Sequence, residues 1–120
     1  MQNVLAVDDS PSMRSLVSFV LKRAGYNVVL AEDGEEALEY ARENSVDLVL
    51  TDINMPKLDG IELIKALRQL PHYQYVPMLV LTTEFGREKK IEGKAAGATG
   101  WIVKPFDPPM LLSTIQKVLA

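Results

Sequence analysis

The sequence has no cysteine, a single histidine, a single tryptophan and no long apolar run. Without thiols there are no disulfides and no thiolate metal sites, which fits a reducing compartment. The apolar runs fall well short of the ~20 residues that a membrane-spanning helix needs. The net charge is only −3, and no segment gathers lysine and arginine into a basic stripe. Neither nucleic acid nor a membrane is therefore expected as a direct partner. The N-terminus, MQNVLAVDDS, lacks a basic region and already carries two aspartates, so it does not read as a secretory leader. A cytoplasmic protein is expected. With 120 residues, 48% hydrophobic and 24% charged, the chain has the make-up of one compact domain over 1–120.

Two periodicities alternate along it. NVLAV, NVVLA, DLVLT, PMLVLT and GWIVK are short apolar runs without alternation, the pattern of strands covered on both faces of a parallel sheet. Helical spacing lies between them. Met13, Leu16, Val17, Val20, Leu21 and Ala24 form one stripe, with Ser10 as N-cap, Pro11 in the first turn and Gly25 as the stop. A second helix starts near Asp33 and Gly34 and carries Ala37, Leu38 and Ala41. A third runs from Leu58 to Leu70 with Ile61, Ile64 and Leu67 inward. The fourth and most polar runs from about Gly86 to Ala96 and ends at Gly97. The last starts at Asp107-Pro108-Pro109 and buries Leu111, Leu112, Ile115, Val118 and Leu119. The chain is thus (βα) repeated five times, an α/β doubly wound three-layer sandwich.

Ligands in such folds sit beyond the carboxyl ends of the strands. Asp8 and Asp9 follow the first strand, Asp52 the third, Thr82 and Thr83 the fourth, and Lys104 ends the fifth. Parallel strands bring all of these to one edge. Three gathered carboxylates repel each other and call for a cation among them. With no cysteine, and with His72 in the loop-like stretch LPHYQY, the donors are all oxygen, which favours a hard cation such as Mg²⁺. An ammonium, a hydroxyl and a metal around one carboxylate suit phosphoryl transfer, where positioning and charge neutralisation supply most of the catalysis.

VLAVDDSPSMR, LVLTDINMPKLDG, LVLTTE and GATGWIVKPF, in that order and over almost the whole chain, resemble the receiver domain of two-component response regulators. The single-domain chemotaxis (CheY) type is the nearest in kind. The resemblance implies a flavodoxin-like, five-stranded parallel sheet of order 2-1-3-4-5. It implies that Asp52 accepts a phosphoryl group from a histidine kinase, that Asp9 binds Mg²⁺ directly and that Asp8 orients metal-bound water. The backbone carbonyl of Asn54 would complete the metal site. Thr82 would be the switch hydroxyl, Lys104 the lysine that pairs with the phosphoryl group, and the bond to Pro105 cis. Since only ~5–6% of X–Pro bonds in folded proteins are cis, that expectation rests on the resemblance.

Trp101 falls at the aromatic switch position, where tyrosine or phenylalanine is usual, and its bulk opposes full inward movement. The resemblance implies that Asn54 and Glu84 tune hydrolysis of the acyl phosphate, and that Thr83 is small enough to leave the phosphoryl group accessible. The expected output surface is the fourth helix, fifth strand and fifth helix, with Lys89, Lys90, Trp101 and Lys117 as contacts. Phosphorylation would shift the Thr82 loop, the fourth helix and Trp101. No output domain is expected after Ala120, so the effect would pass to another protein: a downstream target such as a flagellar motor switch component, with a phosphatase as a further partner and the chain itself a monomer.

Other readings compete. An aspartyl-nucleophile phosphohydrolase would usually carry a second acid two residues after the nucleophile, where this chain has Asn54. A flavin-binding electron carrier would need a hydroxyl- and glycine-rich phosphate loop where this chain has the acidic DDSPSMR. A phosphorelay intermediate or a receiver outside motility would share both fold and chemistry.

Overall fold

Apolar runs without alternation form the middle of the sheet. The computed structural model describes residues 2–120. In chain order the elements are β1 (Asn3–Val7), α1 (Pro11–Arg23), β2 (Asn27–Ala31), α2 (Gly34–Glu43), β3 (Leu48–Thr51), α3 (Gly60–Arg68), a 3-10 turn (Pro71–Tyr73), β4 (Met78–Thr82), α4 (Arg87–Ala96), β5 (Gly100–Val103) and α5 (Pro108–Leu119). The strands form one parallel sheet in the order β2-β1-β3-β4-β5. Residues alternate between the two faces of each strand. Leu5, Val7, Val49, Met78 and Val80 pack with Ala37 and Ala41 of α2, Ile64 and Leu67 of α3, and Ala96 of α4. Val4, Ala6, Leu48, Leu50, Leu79 and Leu81 pack with Val17 and Leu21 of α1 and with Leu111 and Ile115 of α5. No helix among the described residues is long and apolar enough to cross a membrane.

The cap signals hold at the starts of α1 and α2. Ser10 Oγ accepts the Met13 N–H at 3.3 Å, and Asp33 caps α2 through the Glu36 N–H at 2.8 Å. Asp59 and Glu62 form a reciprocal capping box that starts α3 at Gly60, two residues after the expected Leu58. That helix ends at Arg68, short of Leu70, and His72 belongs to the 3-10 turn rather than to a plain loop. Expectations of burial fail in four places. Leu16 is 45% exposed and Ala24 is exposed, because α1 faces the sheet along the narrower strip Val17, Val20 and Leu21. In β2, Asn27 and Leu30 are exposed and Val28 and Val29 half-buried, because β2 is an edge strand with a neighbour on one side only. In β5, the edge strand opposite β2, Val103 is 37% exposed, and in α5 Leu112, Val118 and Leu119 are only half-buried.

Two side chains with no sequence signal close the turns. The fully buried Tyr73 donates its hydroxyl to the Asn44 carbonyl at 2.7 Å, and burial pushes its pKa up to about 12. Arg68 donates to the carbonyls of Gly97 (2.6 Å), Val76 (2.7 Å) and Tyr73 (2.8 Å), tying the end of α3 to the turn between α4 and β5. Burial lowers its pKa, and none of the ion pairs among the described residues includes it. Charged hydrogen bonds are worth ~1.5–3 kcal/mol each but are not additive, so Arg68→Ala is expected to cost ~2–4 kcal/mol in urea unfolding. A loss below ~1 kcal/mol would mean that water replaces the guanidinium freely.

Candidate functional site

Backbone pairing sets the site before any side chain is considered. The Asp52 N–H donates to the Val7 carbonyl at 3.0 Å, so the residue after β3 lies beside the residue after β1. The Asp8 N–H donates to the Ala31 carbonyl at 3.1 Å, and the Lys104 N–H to the Thr82 carbonyl at 2.8 Å. Asp8, Asp52 and Lys104 therefore leave the sheet at the same edge, and the resemblance's cis bond at Lys104–Pro105 is present.

Side chains complete the arrangement. Lys104 Nζ donates to Asp8 Oδ2 at 2.7 Å and to Asp52 Oδ2 at 2.9 Å. The other carboxylate oxygens are held by backbone: Asp8 Oδ1 by the Ser10 N–H at 2.9 Å, and Asp52 Oδ1 by the Ile53 N–H at 2.6 Å. All three side chains are 8–10% exposed. Asp9 is exposed beside them, and one carboxylate oxygen from each of Asp8, Asp9 and Asp52 lies within 4.8 Å of the others. This is a compact all-oxygen cluster with one open side.

Burial works to lower the pKa of Lys104, but the hydrogen bonds and charges of Asp52 and Asp8 outweigh it and raise the value above 10.5. A raised ammonium pKa adds stability that is fully present below the unfolded value and is lost as pH rises through the folded value. Lys104→Met should remove that alkaline loss, so the gap between wild type and variant narrows above pH 10.5. Near neutral pH the variant leaves two enclosed carboxylates without their counter-charge, and breaking such a buried pair costs ~3–5 kcal/mol. Urea unfolding across pH measures both; a gap that stays constant would show that the ammonium is not the stabilising group.

Other expected residues divide by position. Thr82 is fully buried, and its Oγ1 accepts the Glu84 N–H at 3.3 Å rather than meeting Asp52 or Lys104. Thr83 and Asn54 are exposed on the loops after β4 and β3. Trp101 is half-buried and donates its indole N–H to the Glu84 carbonyl at 2.9 Å, which ties β5 to the Thr82 loop. Gly93 makes room for the ring, since a Cβ there would stand 2.6 Å from Trp101 Cζ3. Lys90 and Trp101, with Lys94 and Thr99, line an open groove of about 280 Å³. Lys89 instead pairs with Glu92 at 3.7 Å, and Lys117 stands exposed on α5, outside that groove. Pro105 is exposed.

Sequence reading passed over Arg14, Lys57 and Gly60. Arg14 borders the hollow beneath Asp8 and Asp52. Lys57, at φ +69°, reaches Asp33 at 3.5 Å and links the loop after β3 to the cap of α2. Gly60 presses against the Asp52 carbonyl. Only Gly60 had a visible signal, the Asp-Gly pair that opens a helix.

The geometry has counterparts. A family model described as the response regulator receiver domain matches residues 4–116. A chemotaxis protein CheY homolog of Campylobacter jejuni is 40% identical over 118 residues, covering 97% of this chain and 91% of that protein. The alkaline phosphatase synthesis transcriptional regulatory protein PhoP of Bacillus subtilis is 39% identical over 98% of this chain, which spans only 48% of that longer relative. In structure, the chemotaxis protein CheY4 of Vibrio cholerae superposes with a TM-score of 0.95 at 53% identity, covering 98% of each chain. With the predicted strand order, the acidic edge and the lysine that joins two of its aspartates all in place, the chain belongs to the response regulator receiver domains of two-component signalling.

Proposed function

We propose that residues 1–120 act as a phosphorylation-activated switch of the single-domain chemotaxis type, with Asp52 as the phosphoacceptor. The observation that carries this reading is the buried Asp52 carboxylate, held by the Ile53 N–H on one oxygen and by Lys104 on the other, with Asp8 and Asp9 alongside. An Asp52 oxygen attacks the phosphorus of a phosphohistidine on a sensor kinase. The new O–P bond forms as the P–N bond breaks, and the electron pair returns to the imidazole. Lys104 then faces extra negative charge and pairs with a phosphoryl oxygen. Water later attacks phosphorus and restores the carboxylate, so the protein is a phosphoacceptor that removes its own label rather than an enzyme of separate substrates.

Mg²⁺ fits the cluster because every donor is oxygen and Asp9 leaves one side open to water-bearing coordination. Asp8, Asp9, Asp52 and the Asn54 carbonyl would hold it, and its charge would neutralise the oxygens gathered around phosphorus. Thr82 ends β4, and its carbonyl accepts the Lys104 N–H at the same sheet edge. Its hydroxyl already bonds to the Glu84 N–H, and Glu84 is bonded to Trp101, so a shift of Thr82 is felt at the groove. Lys89, Lys90, Trp101 and Lys117 would present that change to a downstream protein such as a flagellar motor switch component, in the cytoplasm.

Intact mass after incubation with acetyl phosphate tests the reading. One phosphoryl adduct that needs Mg²⁺ and is lost with EDTA is expected. No adduct combined with no Mg²⁺ binding would overturn it.

A further inference from the structure

Arg14 stands in the second half of the first turn of α1, and its guanidinium reaches back to the edge of the sheet. Nη1 donates to the Asp8 carbonyl oxygen at 2.7 Å, and Nη2 lies 3.9 Å from Glu32 Oε2 at the end of β2. The side chain is 18% exposed and borders the small hollow shared with Asp8, Thr51 and Asp52. The bonded oxygen belongs to the peptide group that joins Asp8 to Asp9. A peptide is planar, so fixing its oxygen also fixes the direction in which the Asp9 N–Cα bond leaves.

That matters because the two acids are held so differently. Asp8 is tied through its N–H to Ala31, through Oδ1 to Ser10 and through Oδ2 to Lys104. Asp9 is exposed, and no side-chain hydrogen bond holds its carboxylate among the described residues. Its aim is set by the backbone on which it stands, and the side chain gripping that backbone is Arg14. The geometry points to Arg14 as a positioning residue that sets the Asp8–Asp9 peptide so that both carboxylates serve one divalent cation. This rests on the proposed reading of the cluster as a Mg²⁺ site.

Charge and position predict opposite signs. A guanidinium near a cation site repels the cation, so if charge alone mattered, removing Arg14 would tighten binding. Glu32 offsets that charge, and the hydrogen bond to the peptide remains as the larger effect. Partners that orient metal ligands typically contribute 10–100-fold to affinity, and Arg14→Ala is expected to weaken Mg²⁺ binding about tenfold. Arg14→Lys keeps the charge and one donor but cannot reach Glu32 and the carbonyl together, so its affinity should fall between the two.

Isothermal titration of Mg²⁺ into wild type, Arg14→Ala and Arg14→Lys, each confirmed folded by circular dichroism, reads this directly. Acetyl phosphate labelling gives the second readout: the Arg14→Ala defect should appear as a higher half-saturating Mg²⁺ concentration, with the rate at saturating Mg²⁺ restored. Should Arg14→Ala not fold, a Mg²⁺ affinity of Arg14→Lys below that of wild type supports the proposal. Unchanged or tighter binding in the variants overturns it, as does a rate defect that saturating Mg²⁺ leaves in place. A wild type that binds no Mg²⁺ removes the underlying reading and this inference with it, a result distinguishable from wild-type binding that the variants share.

Discussion

Asp52→Asn is expected to take up no phosphoryl group from acetyl phosphate while remaining folded. The amide has the shape of the carboxylate, so packing at the end of β3 is unchanged. Its chemistry is not. A carboxamide oxygen shares its electrons with nitrogen and carries no full charge to attack phosphorus. Its two ends also no longer match their surroundings, because Oδ1 and Oδ2 of Asp52 both accept, one from the Ile53 N–H at 2.6 Å and one from Lys104 at 2.9 Å. Whichever way the amide turns, its NH₂ faces one of those donors, and a donor left without an acceptor costs ~1–3 kcal/mol. Lys104 keeps Asp8 at 2.7 Å, which limits the damage to one lost contact rather than an orphaned ammonium. Relief of the repulsion among the three carboxylates works against that loss, so the melting temperature should move by no more than several degrees, at roughly 3–6 °C per kcal/mol for a domain of this size. Mg²⁺ binding should weaken but survive on Asp8 and Asp9. Intact mass decides the main point: a stoichiometric adduct on the Asn protein would remove Asp52 from the role given to it.

How much of this was visible beforehand follows from where the information resides. Strand ends of a parallel sheet must coincide, so Asp8, Asp52 and Lys104 could be gathered from order alone, and the structure joins them. Thr82 was expected among them. It lies on the same edge, but its hydroxyl is occupied by the Glu84 N–H, a choice that depends on loop conformation and not on strand order. The α1 stripe was legible in direction but not in width. Periodicity reports which residues are apolar, while the sheet decides how many of them it covers, and it leaves Leu16 45% exposed. Composition hid the β2 edge for a related reason, since it matches that of the central strands; only the order implied by the resemblance put strand 2 at an edge. Arg14 and Arg68 left no trace because their partners are backbone carbonyls, which every residue carries. The cis Lys104–Pro105 bond came from resemblance alone.

Gly60→Ala should be the most damaging single methyl in the chain. The Gly60 N–H donates to the Ile53 carbonyl at 2.8 Å, which draws the start of α3 against the strand end that carries Asp52. A Cβ built there would stand 1.9 Å from the Asp52 carbonyl oxygen and 2.8 Å from its carbonyl carbon. Both are backbone atoms, so no rotamer change can relieve the contact. Nor can the first turn open locally, because Asp59 accepts the Glu62 N–H at 2.8 Å and Glu62 accepts the Asp59 N–H at 3.1 Å. Ile61, Ile64 and Leu67, buried behind it, resist a rigid shift of the helix. Overpacking a core costs ~1–3 kcal/mol where side chains can adjust; here a peptide must move, and a loss at or above ~3 kcal/mol is expected. The peptide that moves is that of the phosphoacceptor. A displacement of ~1 Å in a reacting group can cost ~10²-fold in rate, so labelling of the folded fraction should slow together with the stability loss. Gly86→Ala is the matched control, since a Cβ at Gly86 meets nothing within 4 Å and should leave both measurements near wild type. If Gly60→Ala proved as stable and as readily labelled as wild type, the loop after β3 would have to yield without resistance. Asp52 would then owe its position to its hydrogen bonds rather than to the start of α3.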